Sequence, residues 1–238
     1  MTFVDREPGF VADGGFRLLP GYLAADAQAA LLEAIITAVA EAPFYRPITP
    51  GGRAMSVEIT SLGALGWTSD ARGYRYQDRH PLTGRGWPPM PGLLLRLWRD
   101  LADPEVPPDS CLVNLYRGGA RMGLHQDRDE ADFRFPVLSV SLGDTALFRI
   151  GGSDRRAPTR QVRLTSGDVC LLTGEARLAF HGVDRILPGS SRLVPGGGRL
   201  NLTLRRAGAC PVLMDPSKRE DQARDLRPTL ATSDSEPD

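Results

Sequence analysis

The chain has 238 residues, 41% hydrophobic and 24% charged, with 29 Lys+Arg against 29 Asp+Glu. That composition belongs to an ordinary soluble globular protein long enough for one large core, and a zero net charge sets up no global field announcing nucleic acid or membrane. The zero conceals a division: residues 214–238 carry a net −3 and residues 1–213 a net +3, an excess too small to identify an anionic partner.

Three cysteines, Cys111, Cys170 and Cys210, show no C-x-x-C spacing. Cys111 and Cys170 lie in apolar runs, as buried thiols of a reducing compartment do. The N-terminus lacks the basic-then-apolar pattern of a signal peptide. The longest apolar helical stretch, Leu31 to Ala40, contains Glu33 and is too short to span a bilayer. A cytoplasmic protein without membrane attachment is expected. Nothing suggests an obligate dimer, so a monomer is expected.

In chain order, Gly14 to Leu19 reads as a first strand after an N-terminal arm. Ala24 to Ala42 reads as a helix, with Leu31, Leu32, Ile35, Ile36 and Val39 at three- and four-residue spacing, ended by Pro43. Residues 44–90 are loop-rich, with a strand-like Met55 to Thr60 and aromatics at Trp67, Tyr74, Tyr76 and Trp87. Six Arg against three acids make this stretch locally positive. Gly92 to Leu101 reads as a second helix. From Cys111 onward short strands recur at 111–116, 122–126, 136–142, 146–151, 160–164, 168–172, 177–181 and 199–206, separated by Gly- and Asp-containing turns. That spacing predicts a sandwich or jelly roll. Pro188 to Gly198 reads as a mobile surface loop, and the charged stretch after Leu213 as a disordered tail.

The most informative residues are His125 and Asp127. On a strand, side chains two apart share a face, so an imidazole and a carboxylate stand together. Two His and one carboxylate leave open positions on a metal, the arrangement of non-haem Fe(II) oxygenases. The chain has three histidines, and His181 follows in a strand-like region, while His80 reads as structural or exposed. The competing reading of His125 and Asp127 is a surface hydrogen-bonded pair. In Arg199-Leu-Asn201-Leu-Thr203-Leu-Arg205 strict alternation places two Arg on one face. Such a face needs anionic partners, and a dicarboxylate engaged bidentately would supply them; exposed salt bridges are the alternative. Asn114 and Tyr116 alternate on one face of their strand and offer further hydrogen bonds. Asp168 reads as a cap or a support of the fold.

These segments together — Asn114-Leu-Tyr116, Leu124-His-Gln-Asp-Arg-Asp-Glu130, Ser139-Val-Ser-Leu-Gly143, Gly167-Asp168-Val169, His181-Gly182 and the Arg199 to Arg205 run — resemble the AlkB family. The resemblance extends from about residue 15 to 208 and includes Thr49-Pro-Gly-Gly and Leu65-Gly-Trp-Thr. It implies an α+β fold with a double-stranded β-helix (jelly-roll) core, N-terminal helices and a nucleotide-recognition lid over 44–90. The domain would cover 15–208, between an arm of residues 1–14 and a tail of 209–238. The implied activity is Fe(II)- and 2-oxoglutarate-dependent oxidative demethylation of bases such as 1-methyladenine and 3-methylcytosine, releasing formaldehyde, succinate and CO2. The implied partner is alkylated single-stranded DNA, with RNA or duplex DNA as further candidates.

Carried onto this chain, the resemblance makes His125, Asp127 and His181 the iron ligands. Arg199, with Tyr116 and Asn114, would hold the far carboxylate of 2-oxoglutarate; Arg205 would lie at its metal-chelating end, supported by Asn201. Trp67 and His125 would sandwich the base, Tyr74 would touch the substrate backbone, and Asp129 the exocyclic amino group, with Glu130 and Arg155 nearby. Trp67 as a packing residue, and Tyr74 and Arg155 as surface residues, are the bland readings. Arg53 and Leu172 stand where the closest pattern has aromatics, and bear on substrate preference rather than chemistry. Remaining alternatives are a related dioxygenase acting on RNA, protein or a small molecule, a non-catalytic nucleic-acid module, and a zinc hydrolase; the last needs no dicarboxylate clamp.

Overall fold

The computed structural model describes residues 11–209, so the first ten residues of the arm and the tail beyond 209 lie outside the described residues. Strands β1 (Val11–Ala12) and β2 (Phe16–Leu19) precede helix α1 (Ala25–Glu41). Its inner stripe is Ala27, Leu31, Leu32, Ile35 and Ala38, one arc at helical spacing. Ile36, expected on that stripe, is 54% exposed, because it falls about 100° beyond Ile35 around the helix. Strand β3 (Glu58–Gly63) lies a few residues later than expected. A hairpin of β4 (Gly66–Asp70) and β5 (Gly73–Gln77) then stands inside the segment read as loop. Its turn is closed by Asp70, whose carboxylate accepts from the Arg72 amide at 2.8 Å and pairs with Arg75 at 2.7 Å. Helix α2 (Gly92–Leu101) occupies the expected residues and buries Leu93, Leu94, Leu97 and Trp98.

The remaining strands are β6 (Ser110–Tyr116), β7 (Met122–His125), β8 (Val137–Gly143), β9 (Thr145–Ile150), β10 (Arg160–Leu164), β11 (Val169–Leu172), β12 (His181–Leu187) and β13 (Arg199–Arg205). They form a seven-stranded sheet in the order β1-β2-β11-β8-β13-β6-β3 and a four-stranded sheet in the order β10-β9-β12-β7. Every pairing in both is antiparallel. Apolar side chains from both sheets, among them Phe16, Ile59, Leu112, Phe148, Leu172 and Val183, meet in one cluster. This is the jelly roll: two faced antiparallel sheets with the core between them. The opposite face of the larger sheet is also apolar, with Val140, Leu142, Leu202 and Leu204 at 0% exposure. A strand buried on both faces needs a second layer, and the apolar stripes of α1 and α2 supply matching surface. Among the described residues no helix is long and apolar enough to cross a membrane.

Two expectations are corrected. Residues 177–181 are not a strand: Gly174–Leu178 is a 3-10 turn and β12 begins at His181. The apolar run there is interrupted by Arg177, whose buried guanidinium is drawn inward by three oxygens, while the true strand hides its alternation behind Asp184 and Arg185. Asp184 is bridged from Arg149 of the neighbouring strand at 2.7 Å. The loop at 188–198 is tied down, because the buried Asp144 carboxylate accepts from the Ser191 and Gly198 amides at 3.0 Å each.

Strand β12 passes very close to β7. A Cβ on Gly182 would lie 2.6 Å from the Met122 carbonyl oxygen and 2.9 Å from that of Gly123, so only glycine lets these strands approach as they do. We predict that Gly182→Ala destabilises the protein by about 1–3 kcal/mol, the usual cost of overpacking, and weakens divalent-metal binding by parting the two strands. Chemical denaturation and metal titration check both; an unchanged midpoint would mean that the strands separate freely.

Candidate active site

His181 is the direct cross-strand partner of His125 in the pairing of β12 with β7, which is how two distant histidines come to face one point. Their ring centroids are 4.5 Å apart. Asp127 lies just past the end of β7, so strand periodicity is not what places its carboxylate. Its backbone carbonyl accepts from Arg177 Nη1 at 2.7 Å and its Oδ2 from Arg205 Nη2 at 2.7 Å. The result is His125 Nε2 at 3.8 Å from Asp127 Oδ1 and His181 Nε2 at 3.9 Å from Asp127 Oδ2. One ligand atom from each residue fits within 4.8 Å of the others.

The protonation pattern suits a metal. His125 Nδ1 lies 2.9 Å from the Gly123 carbonyl and His181 Nδ1 2.9 Å from the Ala179 carbonyl. A carbonyl only accepts, so each Nδ1 carries a hydrogen and each Nε2 is the ring atom turned toward the space shared with Asp127. Burial, reinforced by His125, pushes His181 down to about 4, so it is neutral at neutral pH. Burial alone would raise the Asp127 carboxyl, but the Arg205 guanidinium outweighs it and holds it well below the usual carboxylate range. Two imidazoles and an ionised carboxylate on one face are the donor set of a facial Fe(II) site.

Behind this face a cavity of about 340 Å³ opens between the sheets. Arg199 projects into it at 1% exposure. Its Nη2 donates to Ser141 Oγ at 2.8 Å and its Nη1 to the Leu164 carbonyl at 3.3 Å, while its Nε has no partner among the described residues. No carboxylate bridges to it among those residues, so a full positive charge is buried without an anion, a costly state unless a ligand completes it. Asn114 Oδ1 and Arg205 Nη1 are likewise buried and unpartnered. Tyr116 also lines the cavity, and burial pushes its hydroxyl up to about 12, which keeps its proton for donation. The donors here, Arg199 Nε, Arg205 Nη1 and the Tyr116 hydroxyl, thus match a small dicarboxylate with a cation at each end; the Asn114 Oδ1 atom, an acceptor, meets a carboxylate only if the amide is turned over. Asn201 faces the same space but is committed to its neighbours, donating to Ser139 Oγ at 2.6 Å and accepting from Thr203 Oγ1 at 3.1 Å.

The residues expected to meet substrate divide. Trp67 and Tyr74 stack at 5.4 Å with 18° between their planes at the cavity mouth, and Tyr74 is 51% exposed. Trp67 Nε1 donates to Asp129 Oδ2 at 2.8 Å, so two residues expected at the base touch each other. Glu130 is turned inward and buried. Arg155 is outside the cavity wall; its Nη1 donates to the Leu124 carbonyl at 2.8 Å and its guanidinium lies 5.5 Å over the Phe180 ring. His80 is fully buried against Tyr45 and Trp87.

Sequence reasoning missed Arg177 and Tyr76. Arg177 is buried and donates to the Phe135 carbonyl at 2.8 Å, the Asp127 carbonyl at 2.7 Å and Glu130 Oε2 at 3.0 Å. It shapes the whole turn that carries Asp127. Nothing marks it in the sequence except an arginine inside an apolar run. Tyr76 had a usable signal, the Tyr-x-Tyr alternation between the turn residues Asp70 and Gly73 and the next loop.

A jelly roll holding a two-His, one-carboxylate face beside an unpaired arginine defines the class of non-haem iron oxygenases that consume a keto acid. The profile of the 2OG-Fe(II) oxygenase superfamily matches residues 15–205. The chain is 72% identical over 193 residues to the alpha-ketoglutarate-dependent dioxygenase AlkB homolog of Caulobacter vibrioides, covering 81% of this chain and 88% of the relative. It is 39% identical over 210 residues to the alpha-ketoglutarate-dependent dioxygenase AlkB of Escherichia coli, covering 87% and 97%. The solved structure of OsALKBH1 superposes with a TM-score of 0.72 at 32% identity, covering 83% of this chain and 99% of that one. The chain belongs to the AlkB family of Fe(II)/2-oxoglutarate dioxygenases. It is an oxidoreductase of oxidative dealkylation, with Fe(II) and 2-oxoglutarate as its cofactor and cosubstrate.

We predict that Arg177→Ala costs about 3–5 kcal/mol of folding stability, because it leaves the buried Phe135 and Asp127 carbonyls without a donor and takes one of two cations from the buried Glu130. Urea denaturation measures this, and a loss below about 1 kcal/mol would show that water replaces the guanidinium freely.

Proposed function

We propose that this enzyme demethylates ring nitrogens of nucleic-acid bases, 1-methyladenine and 3-methylcytosine, in single-stranded DNA, with RNA as a further substrate. The observation that carries the reading is the stacked pair Trp67 and Tyr74 at the mouth of the cavity that ends at the two-His, one-carboxylate face. Aromatic faces accept an extruded base. Relatives named as a DNA N(6)-methyladenine demethylase and a tRNA demethylase support a nucleic-acid substrate.

In this reading residues 15–208 form the catalytic domain and 44–90 its lid. His125, Asp127 and His181 hold the iron. Arg199, with Tyr116 and Asn114, grips the far carboxylate of 2-oxoglutarate, and Arg205, backed by Asn201, lies at the near end. When bound, iron and keto acid supply the oxidising chemistry, consuming O2 and releasing succinate, CO2 and, from the methyl group, formaldehyde. The protein's part is orientation and dryness. Trp67 and His125 sandwich the extruded base, and a base that cannot pair costs less to extrude. Asp129 offers a carboxylate to the exocyclic amino group of a base made cationic by methylation. Tyr74 and, at the rim, Arg155 meet the flanking strand. The enzyme works as a monomer in the cytoplasm, a setting supported by the free buried thiols Cys111 and Cys170.

Formaldehyde release from a single strand containing 1-methyladenine, with iron and 2-oxoglutarate omitted in turn, tests the reading. Release must need both; no release from the complete mixture overturns the substrate assignment. His125→Ala, Asp127→Ala and His181→Ala should each abolish turnover. Arg199→Ala should raise the 2-oxoglutarate requirement steeply, and an unchanged requirement would reassign that cation. Trp67→Ala should weaken methylated-oligonucleotide binding by about 1–3 kcal/mol, the worth of one stacked base, as fluorescence anisotropy would read it.

A further inference from the structure

Glu130 stands where three parts of the molecule meet. Its carboxylate is buried. Oε1 accepts from Tyr76 Oη of the lid hairpin at 2.7 Å and lies 3.2 Å from Arg205 Nε of β13. Oε2 accepts from Arg177 Nη2, from the turn preceding β12, at 3.0 Å. The next residue back, Asp129, is exposed and takes the Trp67 indole, and Trp67 is the direct cross-strand partner of Tyr76. Two consecutive acids therefore hold two paired lid aromatics, one at the mouth and one beneath it.

An ionised carboxylate offers about four acceptor sites, and two hydrogen bonds and the close Arg205 Nε already crowd those of Glu130. A base amino group reaching it would have to displace one of them. The effect on Arg205 is directional. With Nη2 and Nε donating to Asp127 Oδ2 at 2.7 and 3.2 Å, and Nε also 3.2 Å from Glu130 Oε1, only Nη1 is left, and Nη1 is the buried atom without a partner. Asp127 and Glu130 together thus hold the guanidinium so that one edge serves the protein and one donor remains for a ligand.

Resting on the function proposed above, we infer that Glu130 is a positioning residue and not a contact to the base. It sets the lid hairpin in register with the keto-acid cation by holding Tyr76 and Arg205 on one oxygen. Removing the Tyr76 hydroxyl loosens the hairpin alone. Neutralising Glu130 loosens the hairpin and also removes one of the two carboxylates that hold Arg205.

Two variants, Tyr76→Phe and Glu130→Gln, separate this from other roles. The readouts are hydrogen exchange of residues 66–77 in the metal-free protein and equilibrium binding with Mn(II) of 2-oxoglutarate and, separately, of a 1-methyladenine oligonucleotide. For Tyr76→Phe, hairpin exchange should speed up and oligonucleotide affinity fall about ten-fold, the scale of one charge-assisted hydrogen bond, with 2-oxoglutarate affinity within about two-fold of wild type. For Glu130→Gln, both affinities should fall, each by about ten-fold or more. Unchanged exchange in Tyr76→Phe overturns the inference, and that variant decides the matter even if Glu130→Gln does not fold. A Glu130→Gln protein that loses oligonucleotide affinity and keeps 2-oxoglutarate affinity also overturns it, by making Glu130 a substrate contact. If the wild-type protein binds no methylated oligonucleotide, the substrate reading fails. The inference is then judged on hairpin exchange and 2-oxoglutarate affinity alone.

Discussion

One buried ion pair joins the two halves of this site. Arg205 Nη2 donates to Asp127 Oδ2 at 2.7 Å, with both residues nearly excluded from solvent. Each charge is tolerable inside the protein only because the other is there. The pair keeps Asp127 ionised between two imidazoles, the state a metal ligand needs, and it brings the cavity lined by Arg199 and Tyr116 against the two-His, one-carboxylate face. The floor of β13 and the turn after β7 are thereby held as one piece.

Arg199 is the counterpart at the other end of the same strand, and its state is opposite. It has a hydroxyl and a carbonyl for partners but no anion. Folding a chain around a cation in that condition costs stability that a hydrophobic residue would not. Retaining it makes physical sense when a carboxylate arrives from outside. Arg205 and Arg199 share one strand face; one neutralises the protein's own carboxylate and the other has no anion among the described residues. In the proposed binding mode that asymmetry gives 2-oxoglutarate a direction: chelating end toward Asp127, free carboxylate toward Arg199.

The hairpin of β4 and β5 is attached to this floor by hydrogen bonds as well as by the packing of Trp67 against the core. The indole of Trp67 on Asp129 and the hydroxyl of Tyr76 on Glu130 link a two-stranded hairpin to the acidic turn that follows β7. A two-stranded hairpin is marginal by itself, so what it rests on sets where its aromatics stand. Mouth, metal face and keto-acid pocket are contiguous, and the Asp127 to Glu130 turn touches all three.

Much of this was legible in the chain itself. Alternation marked β6, β8 and β13 because each carries an unbroken apolar face. Helix α2 was delimited by its leucines, and His125, Asp127, His181, Arg199 and Arg205 stood out because those residue types have few reasons to share apolar strands. Tertiary structure decided the rest. A strand that alternates through Asp184 and Arg185 looks like loop until Arg149 appears beside it. An arginine in an apolar run looks like the edge of a strand until three oxygens converge on it. Glu130, sequentially beside a residue at the substrate mouth, faces the interior. Sequence records which groups are costly to bury, but the partner that cancels each cost comes from another strand, and only the folded chain says which one it is.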